Sequence, residues 1–374
     1  MASLSEAAGR WAAAAVMAVL GAGLTGAAPA PAEASPTAPT APTEFSVLCT
    51  PTDPALDELS GLVAAGGRLY AVGDSGSDEA VAVLGPDCAV QQWIPVPVDP
   101  YDVEDMARGG DGRLWLSDTG DNRRRRETVA LIAMSTDGSG GGSLHRLTYP
   151  DGPHDAETVL LGPDDVPVIV TKTFGGPSGI YRPEGGLTVH ELAEPGPTPL
   201  EKLGELDLTA LPADSGPDPD PDPDPDAPVS VAESLSRAVF TGGAVSHDGS
   251  VAAVRSYSHV HLFDVRGTSV GQALTGLPTE SLVLPHQPQG EAVAFTESGD
   301  LVIASEARGG PLPPLLVLPD AVDRVRDSGV PAEGPQTEGA PSPDLSPGLV
   351  AIGLAVGFAL LGGGMLLLRG LRRK

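Results

Sequence analysis

Three glutamates stand in similar local contexts in a chain whose candidate ligands are hard oxygen donors. Glu104 opens the run Glu104-Asp105-Met106-Ala107, Glu157 opens Glu157-Thr158-Val159-Leu160, and Glu291 opens Glu291-Ala292-Val293-Ala294. A further dense set of oxygen donors, Asp118-Thr119-Gly120-Asp121-Asn122, follows the first run. Carboxylates and amides without a Cys/His cluster suit Ca²⁺ or Mg²⁺ rather than zinc. The expected metal set is Glu104, Asn122, Glu157 and Glu291, holding Ca²⁺ at the top of a channel, with Asp118 or Asp121 nearby. The competing reading is that these acids cap backbone N–H groups at turns and bind nothing. His154-Asp155 could supply a general base oriented by a carboxylate. Asp118, Asp121, His154 and Asp155 are therefore the candidate catalytic groups. Residues 123–126 are four consecutive Arg, able to grip phosphate or an acidic partner, or simply a solvated loop. Asp118-x-x-Asp121 is not an EF-hand. The chain has no GxSxG elbow, Walker loop, HExxH or Cys/His metal cluster.

The elements that position these residues repeat. Each unit reads as an apolar strand, a turn, and a second apolar strand ending in polar residues. With Ser60, Glu104, Glu157, Gly243 and Glu291 taken as equivalent, the steps are 44, 53, 86 and 48 residues. Short strands at a period of about 40 to 50 indicate an all-β β-propeller. Third strands are expected at residues 129–133 and 259–264. The step of 86 has room for a degenerate blade built from residues 187–192 and 206–209, so six blades are expected, five of them visible. A parallel α/β fold is disfavoured because no amphipathic helix separates the strands.

A blade runs down, up, down and up. Starts of first strands and ends of second strands therefore share one face. That rule puts Glu104, Glu157 and Glu291 on the same rim as Asp74, Asp118, Lys172, Arg255 and Glu306. Residues 45–49 could supply the outer strand missing from the last unit, which ends at residues 315–318. Cys49 and Cys88 are the only cysteines, and an oxidising compartment favours a disulfide between them. The two ideas pull against each other, because Cys88 precedes the fourth strand of its blade, at the end opposite the one Cys49 leaves.

The chain has 374 residues with 22 basic and 50 acidic side chains, a formal net charge of -28. Binding to nucleic acid is disfavoured, since it requires clustered Lys and Arg. Residues 1–34 read as a signal peptide: Arg10, an apolar stretch over 11–24, and Ala32-Glu33-Ala34 as cleavage site. Residues 35–44 form a Pro/Thr/Ala linker, and an Asp-Pro insertion at 212–230 interrupts a body spanning 45–320. A Pro-rich stalk over 321–347 leads to an uncharged apolar run at 348–368, long enough to cross a membrane as a helix. The basic tail at 369–374 marks the cytoplasmic side and leaves the body outside the cell.

The segments Asp102-Val103-Glu104-Asp105-Met106-Ala107, Asp118-Thr119-Gly120-Asp121-Asn122, Pro153-His154-Asp155-Ala156-Glu157 and Pro288-Gln289-Gly290-Glu291-Ala292 resemble those of exported actinobacterial β-propeller proteins. These in turn are similar to gluconolactonase/paraoxonase-like and esterase-like phytase propellers. The resemblance covers about residues 45 to 320. It implies a channel metal held by Glu, Asn and Asp. Glu104, Glu157 and Glu291 match the glutamate at the strand start, and Asn122 matches by residue type. Ser60 and Gly243 stand where further Asn ligands would be. Two functions follow as expectations. One is a surface-anchored binding or scaffold module with an acidic channel rim, holding Ca²⁺ and an unidentified extracellular partner. The other is a Ca²⁺-dependent hydrolase of esters, lactones or phosphoesters.

Overall fold

The computed structural model describes residues 44–74, 76–208 and 237–328. The first blade is the meander β2 (Leu59–Ala65), β3 (Arg68–Gly73), β4 (Ala80–Leu84) and β5 (Val90–Pro95). The second is β6 (Val103–Arg108), β7 (Leu114–Asp118), β8 (Val129–Met134) and β9 (Ser143–Thr148). The third is β10 (Ala156–Leu161), β11 (Pro167–Thr171), β12 (Ser178–Pro183) and β13 (Thr198–Leu206). The fourth is β14 (Phe240–Val245), β15 (Val251–Ser256), β16 (His259–Asp264) and β17 (Glu280–Val283). The fifth combines β18 (Gln289–Phe295), β19 (Leu301–Glu306) and β20 (Leu315–Leu318) with β1 (Ser46–Cys49) from the start of the body.

The inner strands β2, β6, β10, β14 and β18 each pack on two others and close a ring. Among the described residues five blades complete it, so the sixth expected blade has no place in the ring. Residues 187–192 carry no strand, and Leu206 ends β13, the outer strand of the third blade. A short parallel pairing, Thr198 with Leu147, also ties β13 to the second blade.

Alternation explains why the strands read as nearly unbroken apolar runs. Successive side chains point to opposite faces, and both faces of every blade are covered by a neighbour. In β3, Leu69 and Ala71 pack toward the fifth blade, while Tyr70 and Val72 pack toward the second. In β15, Ala252 and Val254 meet the third blade, while Val251 and Ala253 meet the fifth. Five such inter-blade cores form, one per interface.

Ring closure and the disulfide coexist. β1 pairs antiparallel with β20, Ser46 opposite Val317. Cys49 and Cys88 are bonded, with Cα atoms 5.6 Å apart. The expected conflict does not arise. Blade twist is compatible with carrying Cys49 across to the β4–β5 turn, where both cysteines share a core with Leu56, Leu84 and Leu315. The body also runs past residue 320: α2 (Ala321–Ser328) buries Ala321, Val322 and Val325 beside Phe45. The shorter α1 (Val270–Leu274) packs on the third blade. The expected signal peptide, the Asp-Pro insertion and the apolar run at 348–368 lie outside the described residues. Among the described residues no helix is long and apolar enough to cross a membrane.

The disulfide closes a separation of 39 residues, which chain entropy values at about 4 kcal/mol. Reduction should therefore lower the melting temperature by about 10 °C, read by differential scanning calorimetry with and without reductant. An unchanged melting temperature would contradict the staple.

Candidate functional site: an acidic channel mouth

Each inner strand is irregular at the same place. The pairing register slips at Ser60, Glu104, Glu157, Thr241 and Glu291–Ala292. A bulge of this kind re-aims a side chain. The structural equivalent in the fourth blade is thus Thr241, and not Gly243 as the repeat spacing indicated. The five positions divide by chemistry. Ser60 Oγ donates to Glu104 O (2.6 Å) and Thr241 Oγ1 to Gly290 O (3.0 Å), each bonding to the next blade. The other three positions bury carboxylates at the mouth: Glu104, Glu157 and Glu291.

Asp105 fastens the inner strands below the mouth. Its carboxylate accepts from Met106 N (2.8 Å), Val159 N (2.9 Å) and Gly243 N (3.1 Å), joining the second, third and fourth blades. Burial drives its pKa well up, and the three N–H donors pull it back.

The mouth separates into two acidic groups. On one side Glu104, Asp155 and Glu157 bring oxygens within 4.8 Å of one another. Lys172 Nζ is bonded to Glu157 Oε1. Glu157 Oε2 is buried with no hydrogen-bond partner. Gly120 makes this arrangement possible, because a Cβ there would collide with Glu104 Oε1 and the Asp102 carboxylate. On the other side Glu58, Asp74 and Glu306 form a second group with oxygens equally close. Glu291 feels both groups, and its Oε1 accepts from Gln289 Nε2 (3.0 Å). Arg255 is fully buried and donates to Ala292 O, Ala304 O and Gln287 Oε1 rather than to a carboxylate.

Burial outweighs every other influence on these acids. It pushes Glu104 well up, reinforced by Glu157 and Asp102. It also pushes Glu157 well up, against the pull of Lys172. Burial and then Glu291 raise Glu306 to about 10 and Asp74 to about 7. Burial raises Asp102 to about 6, with Arg126 opposing. Burial also works against the Lys172 charge, but Glu157 and Tyr257 outweigh it and hold its pKa high.

The expected site residues fare differently. Glu104, Glu157 and Glu291 all reach the mouth. Asn122 is exposed. Asp118 is occupied by Arg126 Nη2 (2.9 Å) and Asp102 N (3.1 Å). Asp121 accepts from Arg125 N and Arg126 N, shaping the arginine loop. Arg126 also lies over the Tyr101 ring at 4.7 Å, so one of the four arginines is structural. His154 and Asp155 do not form a pair. His154 Nε2 meets Asp151 Oδ1 (2.9 Å) and the Tyr181 hydroxyl (3.1 Å). Asp155 accepts from Asp121 N (2.8 Å) and joins the mouth instead. The sequence reading did not place Glu58 or Asp102 at the mouth, and it gave Asp155 as a candidate catalytic group beside His154 rather than as a mouth acid. The signal was there: Glu58, Asp102, Asp155 and Gln289 each stand two residues before a bulge position, and so on the same side of their strand.

No family model matches the chain, and no curated protein matches it. Solved structures do. A luciferin-regenerating enzyme matches at 13% identity and TM-score 0.37, over 69% of this chain and 76% of that one. A gluconolactonase from Xanthomonas campestris matches at 15% identity and TM-score 0.38, over 70% and 71%. A PQQ-bound aldose sugar dehydrogenase from Streptomyces coelicolor matches at 10% identity and TM-score 0.37, over 74% and 99%. At these scores the propeller assignment rests on the strand topology above.

The raised pKa values carry a sign. A carboxyl whose folded pKa exceeds its unfolded value binds more protons when folded, so stability falls as pH rises between the two. For the cation-free protein the melting temperature should decline from pH 4 to pH 7, the window of Asp74 and Asp102. Thermal melts in chelator across that range check this, and a melting temperature that rises throughout would contradict it.

Proposed function

We propose that the protein is a membrane-tethered, extracytoplasmic propeller whose channel mouth takes a hard divalent cation, Ca²⁺ by preference, and presents it to an oxygen-bearing ligand. One observation carries the reading. Glu157 Oε2 is buried without a donor inside a group of three converging acids. A buried carboxylate oxygen left unpaired is costly, and a cation is the partner that this donor set fits. All three donors are oxygens, which suits Ca²⁺ and leaves softer metals no ligand. Glu104, Asp155 and Glu157 would hold the ion, Lys172 offsets one of their charges, and Gly120 keeps the space open. A bound ion of this kind supplies Lewis acidity toward a ligand's carboxylate, phosphate or carbonyl oxygen. Export and membrane tethering are read from residues 1–34 and 348–374. In the body, β1 begins, and α2 packs, beside the turns at the face opposite the mouth. The mouth would then point away from the membrane.

A second reading, hydrolysis of an ester, lactone or phosphoester, is favoured by Asp102. It is half-buried beside Glu104, and no hydrogen bond to its carboxylate occurs among the described residues. Such a group is free to move a proton. Asp118, Asp121 and His154 are already occupied.

Calorimetric titration of CaCl₂ into chelator-treated protein tests the first reading. Saturating Ca²⁺ at about 100 times Kd should add about 2.7 kcal/mol of stability, raising the melting temperature by several degrees. Glu104→Gln should fold and show a diminished response, because the ion at these three acids is lost. Heatless titration with an unmoved melting temperature would sink the proposal. Hydrolysis would show as turnover of a lactone or phosphoester that Asp102→Asn abolishes while Ca²⁺ binding persists.

A further inference from the structure

The far side of the mouth has a stronger electrostatic need than the side just described. Glu58 and Asp74 frame the top of β2 and β3 in the first blade, and Glu306 ends β19 in the fifth. Each contributes an oxygen to a set lying within 4.8 Å of one another. Glu306 is only 3% exposed, and its Oε1 has no hydrogen-bond partner. Glu291 Oε2, buried alongside, also lacks a donor, and the Glu306 and Glu291 carboxyls lie within hydrogen-bonding reach of each other. Among the described residues no Lys, Arg or His makes a salt bridge with Glu58, Asp74, Glu291 or Glu306. The first group has Lys172 against Glu157, whereas this one has nothing comparable. Arg255 acts on Glu291 only through space: its Nη atoms donate to Ala292 O, Ala304 O and Gln287 Oε1 and to no carboxylate.

We infer that Glu58, Asp74 and Glu306 form a second divalent-cation site, across the mouth from Glu104, Asp155 and Glu157, with Glu291 standing between the two. The donors are again all oxygen, which fits Ca²⁺ or Mg²⁺. Glu58 and Asp74 are half-buried while Glu306 is buried. The site is therefore anchored on its inner side and open to solvent on its outer side. An ion there would join the first blade to the fifth where the ring closes. The residues differ from those of the first site, so either site can exist without the other.

Equilibrium dialysis of the full-length protein in detergent against ⁴⁵CaCl₂, with stoichiometry read per chain, tests the inference. Wild type should bind two ions. Asp74→Asn should bind one, and so should Glu104→Gln, while the two changes together should bind none. Glu58→Gln, a half-buried position on the open side, repeats the Asp74 test should Asp74→Asn fail to fold. A single ion that survives Asp74→Asn and Glu58→Gln but is lost in Glu104→Gln overturns the second site and keeps the first. A single ion lost in Asp74→Asn but kept in Glu104→Gln supports the second site and removes the first. No bound ion in wild type removes both.

Discussion

Buried carboxylates that outnumber the cations beside them must be held against their own repulsion, and the mouth of this propeller is shaped by that requirement. Glu104, Asp155, Glu157, Glu291 and Glu306 are all buried there, with Lys172 their only direct ionic partner among the described residues. In a low-dielectric setting like charges cannot simply coexist. They take up protons, or they share a cation. Both remedies need the acids to be fixed in place, and so the rigidity of the ring is the condition for the site.

That rigidity comes from close approach at the axis. Gly242 lies so near Glu291 O that a Cβ would collide with it, and a Cβ on Gly61 would clash with Val72 and crowd Met106 N. The small residues let the inner strands touch, and Asp105 then bonds three of them together. Hydroxyls at Ser60 and Thr241 complete the links between blades. The bulges that re-aim the glutamates sit at those same positions. One irregularity, repeated five times, both closes the ring and builds the acidic mouth. At the periphery β1 and the Cys49–Cys88 bond stop the first and last blades from parting.

Much of this was legible in the sequence, because the down-up-down-up rule depends only on strand order. It placed Glu104, Glu157, Glu291, Asp74, Lys172 and Glu306 at one end of the channel. The borrowed outer strand and the disulfide were legible for similar reasons. Blade number was not: a step of 86 residues looks the same whether it holds a blade or a long connection. Thr241-Gly242-Gly243 hid the register of β14, since a bulge leaves no mark on residue type. The partner of His154 lies three residues back, across a turn, rather than at the adjacent Asp155. Asn122 is a suitable ligand by type, but a loop side chain's direction cannot be read from spacing.

The central claim is that the mouth acids hold a metal ion rather than protons. Anomalous diffraction from crystals grown with MnCl₂, a scattering substitute for Ca²⁺, tests it most directly. An anomalous peak should appear among the oxygens of Glu104, Asp155 and Glu157. Well-ordered carboxyls with no peak between them, at saturating manganese and neutral pH, would contradict it and leave the acids as a protonated, purely structural cluster.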